Sequence, residues 1–279
     1  MSIFQAIILG IIQGVAEFLP ISSSGHMLLF EQAFGITFDP AVMTAVTVLM
    51  HVGTLAAVII VLWKDWLDIL KNLFHSKTLL LLIIASVPAL IFKLILGDAF
   101  DRINAGGFLG LFFLVTACLM VLVERFGHGK HNQRSARVEY RHAVSMGCCQ
   151  CLGLMTGISR SGSSILGGVA SGLPRYMAVK FSFMMSAPAV LGSLLMEGRD
   201  LMRNDQAASM LGSLALPLLA GMIVSFAVGL LTMRWMLRLV NRISFYWFAV
   251  YMGFIGVLTI VLQAIGVGSL MPLFSMGAA

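Results

Sequence analysis

Charge is scarce in this sequence. Of 279 residues, 18 are Lys or Arg and 12 are Asp or Glu, 11% together, where a soluble globular chain carries about 25%. No Lys or Arg precedes Lys64. The apolar N-terminus therefore has no basic leader and is expected to stay in the protein rather than be cleaved as a signal. Cysteine is scarce too. Cys118, Cys148, Cys149 and Cys151 have neither zinc-type spacing nor partner histidines, which argues against metal or redox work and for small packing residues. The net charge of +6 does not mark a nucleic-acid binder, because it lies in short loops between apolar runs, where orientation bias puts it. The G-x-S-x-G elbow of hydrolases is missing: Gly157-Ile-Ser-Arg-Ser161 ends in Ser.

What remains is apolar. The chain is 59% hydrophobic with a mean hydropathy of +0.97. Runs long enough to span hydrocarbon are expected at about 41–63, 79–97, 106–124, 179–197, 211–233 and 243–266. Two further regions are apolar but broken. Residues 2–19 stop at Pro20 and resume at 27–34; residues 143–158 stop at a Ser/Arg/Gly break and resume at 165–173. Each reads as a re-entrant hairpin whose tip faces protein or a watery cavity.

The two breaks match at an offset of 137 residues. Gln13 falls on Gln150, Ile21 on Ile158, Ser22 on Ser159, Ser24 on Ser161 and Gly25 on Gly162. Positive loops at 64–77, 125–142 and 234–242 contrast with the mixed loops 98–105 and 198–210, so the halves insert in opposite senses. The expected fold is an all-α polytopic membrane protein of six transmembrane helices plus two re-entrant hairpins, one domain over 1–279. Its two inverted-topology repeats cover 1–124 and 141–268, with a site near the midplane. Both termini and the site opening are expected on the outer face.

Glu17 lies in an apolar segment, where an ionisable group is costly and marks a functional site. Gln13, one turn earlier, shares its face. Together they could hold Mg²⁺ or Ca²⁺ through oxygen, or Glu17 could serve as a base. Ser22, Ser23, Ser24 and Gly25 follow Pro20 as a helix stop and restart, with amides suited to phosphate. His26 shares a helical face with Ser23 and is the candidate acid–base partner. Arg160, between Ser159 and Ser161, suits bidentate phosphate binding, with an ion pair to Glu17 as the alternative. Gly162, Ser163 and Ser164 complete that break. His51 in the first span either lines the same cavity or donates to a neighbouring carbonyl.

Through Glu17-Phe-Leu-Pro-Ile-Ser-Ser-Ser-Gly-His26 and Gly157-Ile-Ser-Arg-Ser-Gly162, and through His51-Val-Gly-Thr54 and Arg242-Ile-Ser244, the chain resembles the undecaprenyl-diphosphate phosphatase family of the bacitracin-resistance type over nearly its whole length. The resemblance implies a bacterial plasma-membrane enzyme that removes the terminal phosphate of a C55 polyprenyl diphosphate, recycling the monophosphate carrier for envelope polymers. Its partners would be that lipid and the bilayer, with no nucleic acid, and a homodimer is left open. The family's Glu/Gln-x-x-x-Glu motif falls on Gln13 and Glu17, and its Ser/His motif on Ser22, Ser23 and His26. Its P-G-x-S-R-S-x-x-T motif falls on 156–164, with Thr156 for Pro and Ser164 for Thr. The first change is expected to loosen the turn; the second keeps the hydroxyl. Ser23 is the preferred nucleophile, with His26 or water as variants. A polyprenyl-phosphate flippase or transporter with a midplane phosphate site is the rival reading.

Overall fold

The computed structural model describes residues 1–36, 40–127, 137–201, 212–266, 270 and 272, with backbone only at 40, 41, 98–101 and 197–201. Among the described residues the helices are, in chain order, α1 (Ile3–Ala16), α2 (Ser23–Ala33), α3 (Pro40–Val61), α4 (Trp63–Lys71), α5 (Lys77–Asn104), α6 (Leu109–Gly127), α7 (Tyr140–Gln150), α8 (Arg160–Ala170), α9 (Arg175–Leu201), α10 (Ala215–Leu239) and α11 (Tyr246–Ala264), with a 3₁₀ turn at Leu152–Leu154. Among the described residues, six helices are long and apolar enough to cross a membrane: Val42–Val61, Lys77–Gly97, Leu109–Gly127, Arg175–Met196, Ala215–Leu239 and Tyr246–Ala264. They coincide with the expected spans to within a few residues, and the chain is a multi-pass membrane protein.

Two elements differ from expectation. The loop assigned to 64–77 begins as the helix α4, because Trp63, Trp66, Leu67 and Leu70 alternate at helical spacing with Lys64, Asp65, Asp68 and Lys71. Asp65 on it accepts from Lys180 of α9 at 2.6 Å. The second apolar half-segment, expected from 165, starts as a helix at Arg160. Of the loop charges that set the expected orientation, Lys130, Arg134, Arg203 and Asp205 lie outside the described residues, as do the side chains of Asp98, Asp101, Arg199 and Asp200.

Glycines set the closest packing. Gly10 of α1 meets α10 so tightly that a Cβ would lie 2.4 Å from the Gly221 carbonyl oxygen. Gly147 of α7, 137 residues on, meets α5 in the same way, 2.5 Å from the Ala85 carbonyl oxygen. Without a driving force from water, such small-residue contacts are what hold apolar helices together. Polar ties add direction: Ser225 of α10 donates to the Met50 carbonyl of α3 at 2.8 Å, and Gln263 of α11 donates to the Gly106 carbonyl ahead of α6 at 2.9 Å. The largest core cluster joins Phe18 to Phe183 of α9, edge on at 5.2 Å, and extends to Met120, Met146, Ile165 and Phe245. The tip between α1 and α2 is thereby packed against the second half of the chain.

Candidate active site

Both breaks are built by the same capping chemistry. Ser22 caps α2, its hydroxyl accepting from Gly25 N–H at 3.3 Å, while its carbonyl accepts from His26 N–H at 3.2 Å. Ser159 caps α8 likewise, with Gly162 N–H at 3.0 Å and Ser163 N–H at 2.9 Å. In each helix the first-turn amides left over are those of the first two residues, Ser23 and Ser24 in α2, Arg160 and Ser161 in α8. These two helix starts face one cavity of about 180 Å³, lined among others by Glu17, Ser22, Ser23, Ser24, His51, Thr156, Ser159, Arg160 and Ser161. The approach is tight: a Cβ on Gly25 would stand 2.8 Å from Gly157 Cα. Gly157 itself has φ of 110°, a left-handed conformation that suits glycine.

Glu17 is the hub. Its Oε2 accepts from Ser23 Oγ at 2.8 Å and from Gln13 Nε2 at 3.1 Å, with His51 Nε2 at 3.4 Å. Its Oε1 takes the Arg160 guanidinium. The carboxylate is 5% exposed and the arginine side chain 22%, so the arginine keeps one side open to the cavity. His51 both lines the cavity and donates from Nδ1 to the Thr47 carbonyl at 2.8 Å, so the two readings of it hold together.

The structure does not bring His26 to Ser23 or Glu17. Its Nδ1 lies 2.9 Å from the Ser22 carbonyl and its Nε2 lies 2.9 Å from the Tyr251 hydroxyl of α11. Gly25 and Gly162 serve the caps rather than the cavity wall. Ser164 turns inward, donating to the Arg160 carbonyl at 3.0 Å and meeting Ser182 Oγ at 2.7 Å; Ser163 also donates to that carbonyl at 3.0 Å. These contacts fix the backbone that carries Arg160.

The second break has anchors that sequence reasoning missed. Thr116 of α6 donates to the Gly157 carbonyl at 2.9 Å and accepts from Ser159 N–H at 3.0 Å. Thr156 N–H donates to Asn104 Oδ1 at 2.6 Å. A proline has no such N–H. The expected loosening at Thr156 is thus offset by a hydrogen bond that only a non-proline residue can make. Beyond the cavity wall, Glu124 and Arg175 form a second buried ion pair at 2.9 Å, and Glu124 also accepts from Phe245 N–H at 2.7 Å. It ties α6, α9 and the start of α11.

For a divalent cation, the donor set is oxygen: the Glu17 carboxylate and Gln13 Oε1, which is buried without a hydrogen-bond partner. Oxygen is what Mg²⁺ and Ca²⁺ take. Among the described residues no three His, Cys, Asp or Glu side chains cluster as a metal site, so such an ion would rely on Gln13, Glu17, water and ligand oxygens.

Six helices long enough to span a bilayer, with a cavity between the two breaks where a carboxylate, an arginine and several hydroxyls meet, define a multi-pass membrane protein with a charged polar site, and helix starts of this kind suit an anionic group. More particularly, the chain belongs to the bacitracin resistance protein BacA family, whose model matches residues 6–258. Proteins named undecaprenyl-diphosphatase are similar to it almost end to end. That of Methanosphaera stadtmanae is 35% identical over 95% of this chain and 99% of the relative. That of Carboxydothermus hydrogenoformans is 34% identical over 95% and 99%. Undecaprenyl-diphosphatase 4 of Bacillus thuringiensis subsp. konkukian is 34% identical over 94% and 98%.

Proposed function

We propose that this protein is an undecaprenyl-diphosphatase, hydrolysing the lipid diphosphate to the monophosphate carrier and phosphate, with bacitracin resistance as the cellular consequence. The observation that carries the reading is a hydroxyl already donating to a buried carboxylate, Ser23 to Glu17 at 2.8 Å, beside an arginine and two helix starts facing the same cavity.

In this reading Arg160 and the free first-turn amides hold the terminal phosphate, where charge builds as the bond breaks. Ser23 Oγ attacks phosphorus and its proton passes to Glu17. The bridging P–O bond breaks and the lipid monophosphate leaves. Water then attacks the phosphoseryl phosphorus as the Oγ–P bond breaks, Glu17 returns its proton to Ser23 Oγ, and phosphate departs while the proton lost by the attacking water passes to water in the cavity. Ser22, Ser24, Ser159 and Ser161 line the phosphate. His26 braces the turn that carries Ser23, because both its ring nitrogens are engaged elsewhere. Glu17 and Gln13 would hold Mg²⁺ or Ca²⁺, an ion that offsets the diphosphate charge.

Two features support the finer architecture, in which α1–α2 and α7–α8 are re-entrant hairpins of inverted repeats over 1–124 and 141–268. A shift of 137 residues carries Leu109–Gly127 of α6 onto Tyr246–Ala264 of α11, and the close contact of Gly10 recurs at Gly147. The site then opens to the outer face of a bacterial plasma membrane, with both termini on that side. The test is phosphate release from undecaprenyl diphosphate by purified protein in detergent, where carriage across a bilayer cannot occur. Steady release is expected. Substrate binding without release would support the transporter reading instead.

A further inference from the structure

Tyr251 belongs to α11 and lies 225 residues from His26, yet its hydroxyl stands 2.9 Å from His26 Nε2. The two rings lie nearly parallel, 10° apart with centroids at 5.7 Å. On the other side of the imidazole, Nδ1 stands 2.9 Å from the Ser22 carbonyl oxygen. A carbonyl can only accept, so Nδ1 carries the hydrogen. In the neutral ring Nε2 then holds the lone pair, and the Tyr251 hydroxyl is its donor. Every polar atom of the line has one role.

What the line holds is unusual. Ser22 has φ of 68°, the only positive value outside glycine among the described residues. A side chain is disfavoured at positive φ, and such a conformation persists only where its surroundings hold it. The surroundings are visible: the Ser22 hydroxyl caps Gly25, its carbonyl takes both the His26 amide and the His26 ring, and Phe113 packs against the imidazole at 5.2 Å. Ser23, whose hydroxyl meets Glu17, is the next residue.

We propose that Tyr251 is a positioning residue for the phosphatase reaction, acting through His26 to hold the strained Ser22 turn that aims the Ser23 hydroxyl. The proposal rests on the reading of Ser23 as nucleophile. It makes a helix of the second half set the geometry of the first half's nucleophile. Loss of the Tyr251 hydroxyl leaves the ring stack in place but strips His26 Nε2 of its donor, so the imidazole and the Ser22 carbonyl behind it drift. A misplacement of an ångström or less at the reacting atoms costs up to about 100-fold in rate.

The test compares wild type and Tyr251→Phe in detergent with undecaprenyl diphosphate, reading kcat and KM separately, with thermal midpoints recorded for both. The expected result is a kcat lowered roughly 10- to 100-fold with KM within about twofold. A kcat within twofold of wild type overturns the proposal, as does a raised KM with kcat intact, which would make Tyr251 a substrate contact. A second measurement does not need activity. ¹⁵N-histidine spectra of the wild type, with His26 assigned by its loss in His26→Gln, should show the neutral tautomer protonated at Nδ1, and Tyr251→Phe should move the Nε2 resonance. A proton on Nε2, or a resonance unmoved by Tyr251→Phe, overturns the line itself. Absence of phosphate release from the wild type would instead sink the phosphatase reading and leave the spectra to decide the geometry.

Discussion

Replacing Arg160 by glutamine strips Glu17 of its cation and the cavity of its guanidinium in one change, and the structure sets how large each loss should be. Glu17 is not left alone: Ser23 at 2.8 Å and Gln13 at 3.1 Å still donate to it, with His51 at 3.4 Å. The stability loss should therefore be that of one charge-assisted hydrogen bond, about 1–3 kcal/mol, short of the 3–5 kcal/mol typical of an orphaned buried ion. Glu17→Gln should cost a similar amount, since Arg160 retains access to cavity water. Catalysis is where the variants should suffer. Losing one oriented donor to developing phosphoryl charge costs about 3–4 kcal/mol, roughly 10²–10³ in rate. Arg160→Lys should recover little of it, because an ammonium lacks the planar two-pronged contact. The decisive assay is the pair of single variants and Glu17→Gln with Arg160→Gln on one substrate, each followed by phosphate release and by thermal unfolding. If the pair exists only for mutual neutralisation, the double variant recovers both stability and rate. If Arg160 holds phosphate, stability recovers in part while the rate stays at or below the worse single. Activity in the double variant within about tenfold of wild type would refute the site, since a loss of the size estimated from the donor could not then be present.

The buried pair Glu124–Arg175 gives a contrasting case: Arg175 is 2% exposed, so Glu124→Gln should lower stability by about 3–5 kcal/mol, while Glu124→Leu with Arg175→Met should lower it far less, as read by thermal unfolding in detergent. At the second break, Thr156→Pro removes the N–H that meets Asn104, at a cost of about 1 kcal/mol. Met155 already has the extended backbone, φ −75° and ψ 129°, that a following proline wants, so adding Asn104→Ala to Thr156→Pro should cost little more, and strict additivity would remove the compensation argument. For topology, single cysteines at Gln133 and Gln206 in a background without Cys118, Cys148, Cys149 and Cys151 should react from opposite membrane faces; labelling from one face would end the inverted-repeat reading.

The features legible in the sequence are those whose signal is local. A span shows itself by twenty or so apolar residues in a row. A capped helix start shows itself as serine three residues before glycine, at Ser22 and Gly25 and again at Ser159 and Gly162. Glu17 and Arg160 were legible because a charge at membrane depth is costly enough to need a reason. The ends of spans were less legible. Glu124 and Arg175 sit where apolar runs meet loops, and charges there are ordinary, so nothing in the sequence distinguishes a buried pair from two solvated groups. The helix α4 was hidden for a related reason. Its four charges read as loop until their spacing is set against the intervening tryptophans and leucines.

Partner choice is the part that no local signal carries. His26 and Ser23 share one short helix, and spacing alone invites a base and a nucleophile. The fold instead sends the imidazole to a tyrosine 225 residues away and gives the carboxylate a different histidine, His51. The residues that decided this were visible as a class. His51, Thr116 and Tyr251 are polar groups inside spanning helices, where each needs a partner in hydrocarbon, and Asn104 ends α5 beyond its span. In this structure three of the four bond directly to a break or to the residue bracing it, and His51 faces Glu17. For a chain of this kind, the polar residues inside the spans therefore hold the motif in place as much as the motif's own caps do, and pairing them with the breaks is the step that spacing along the chain cannot supply.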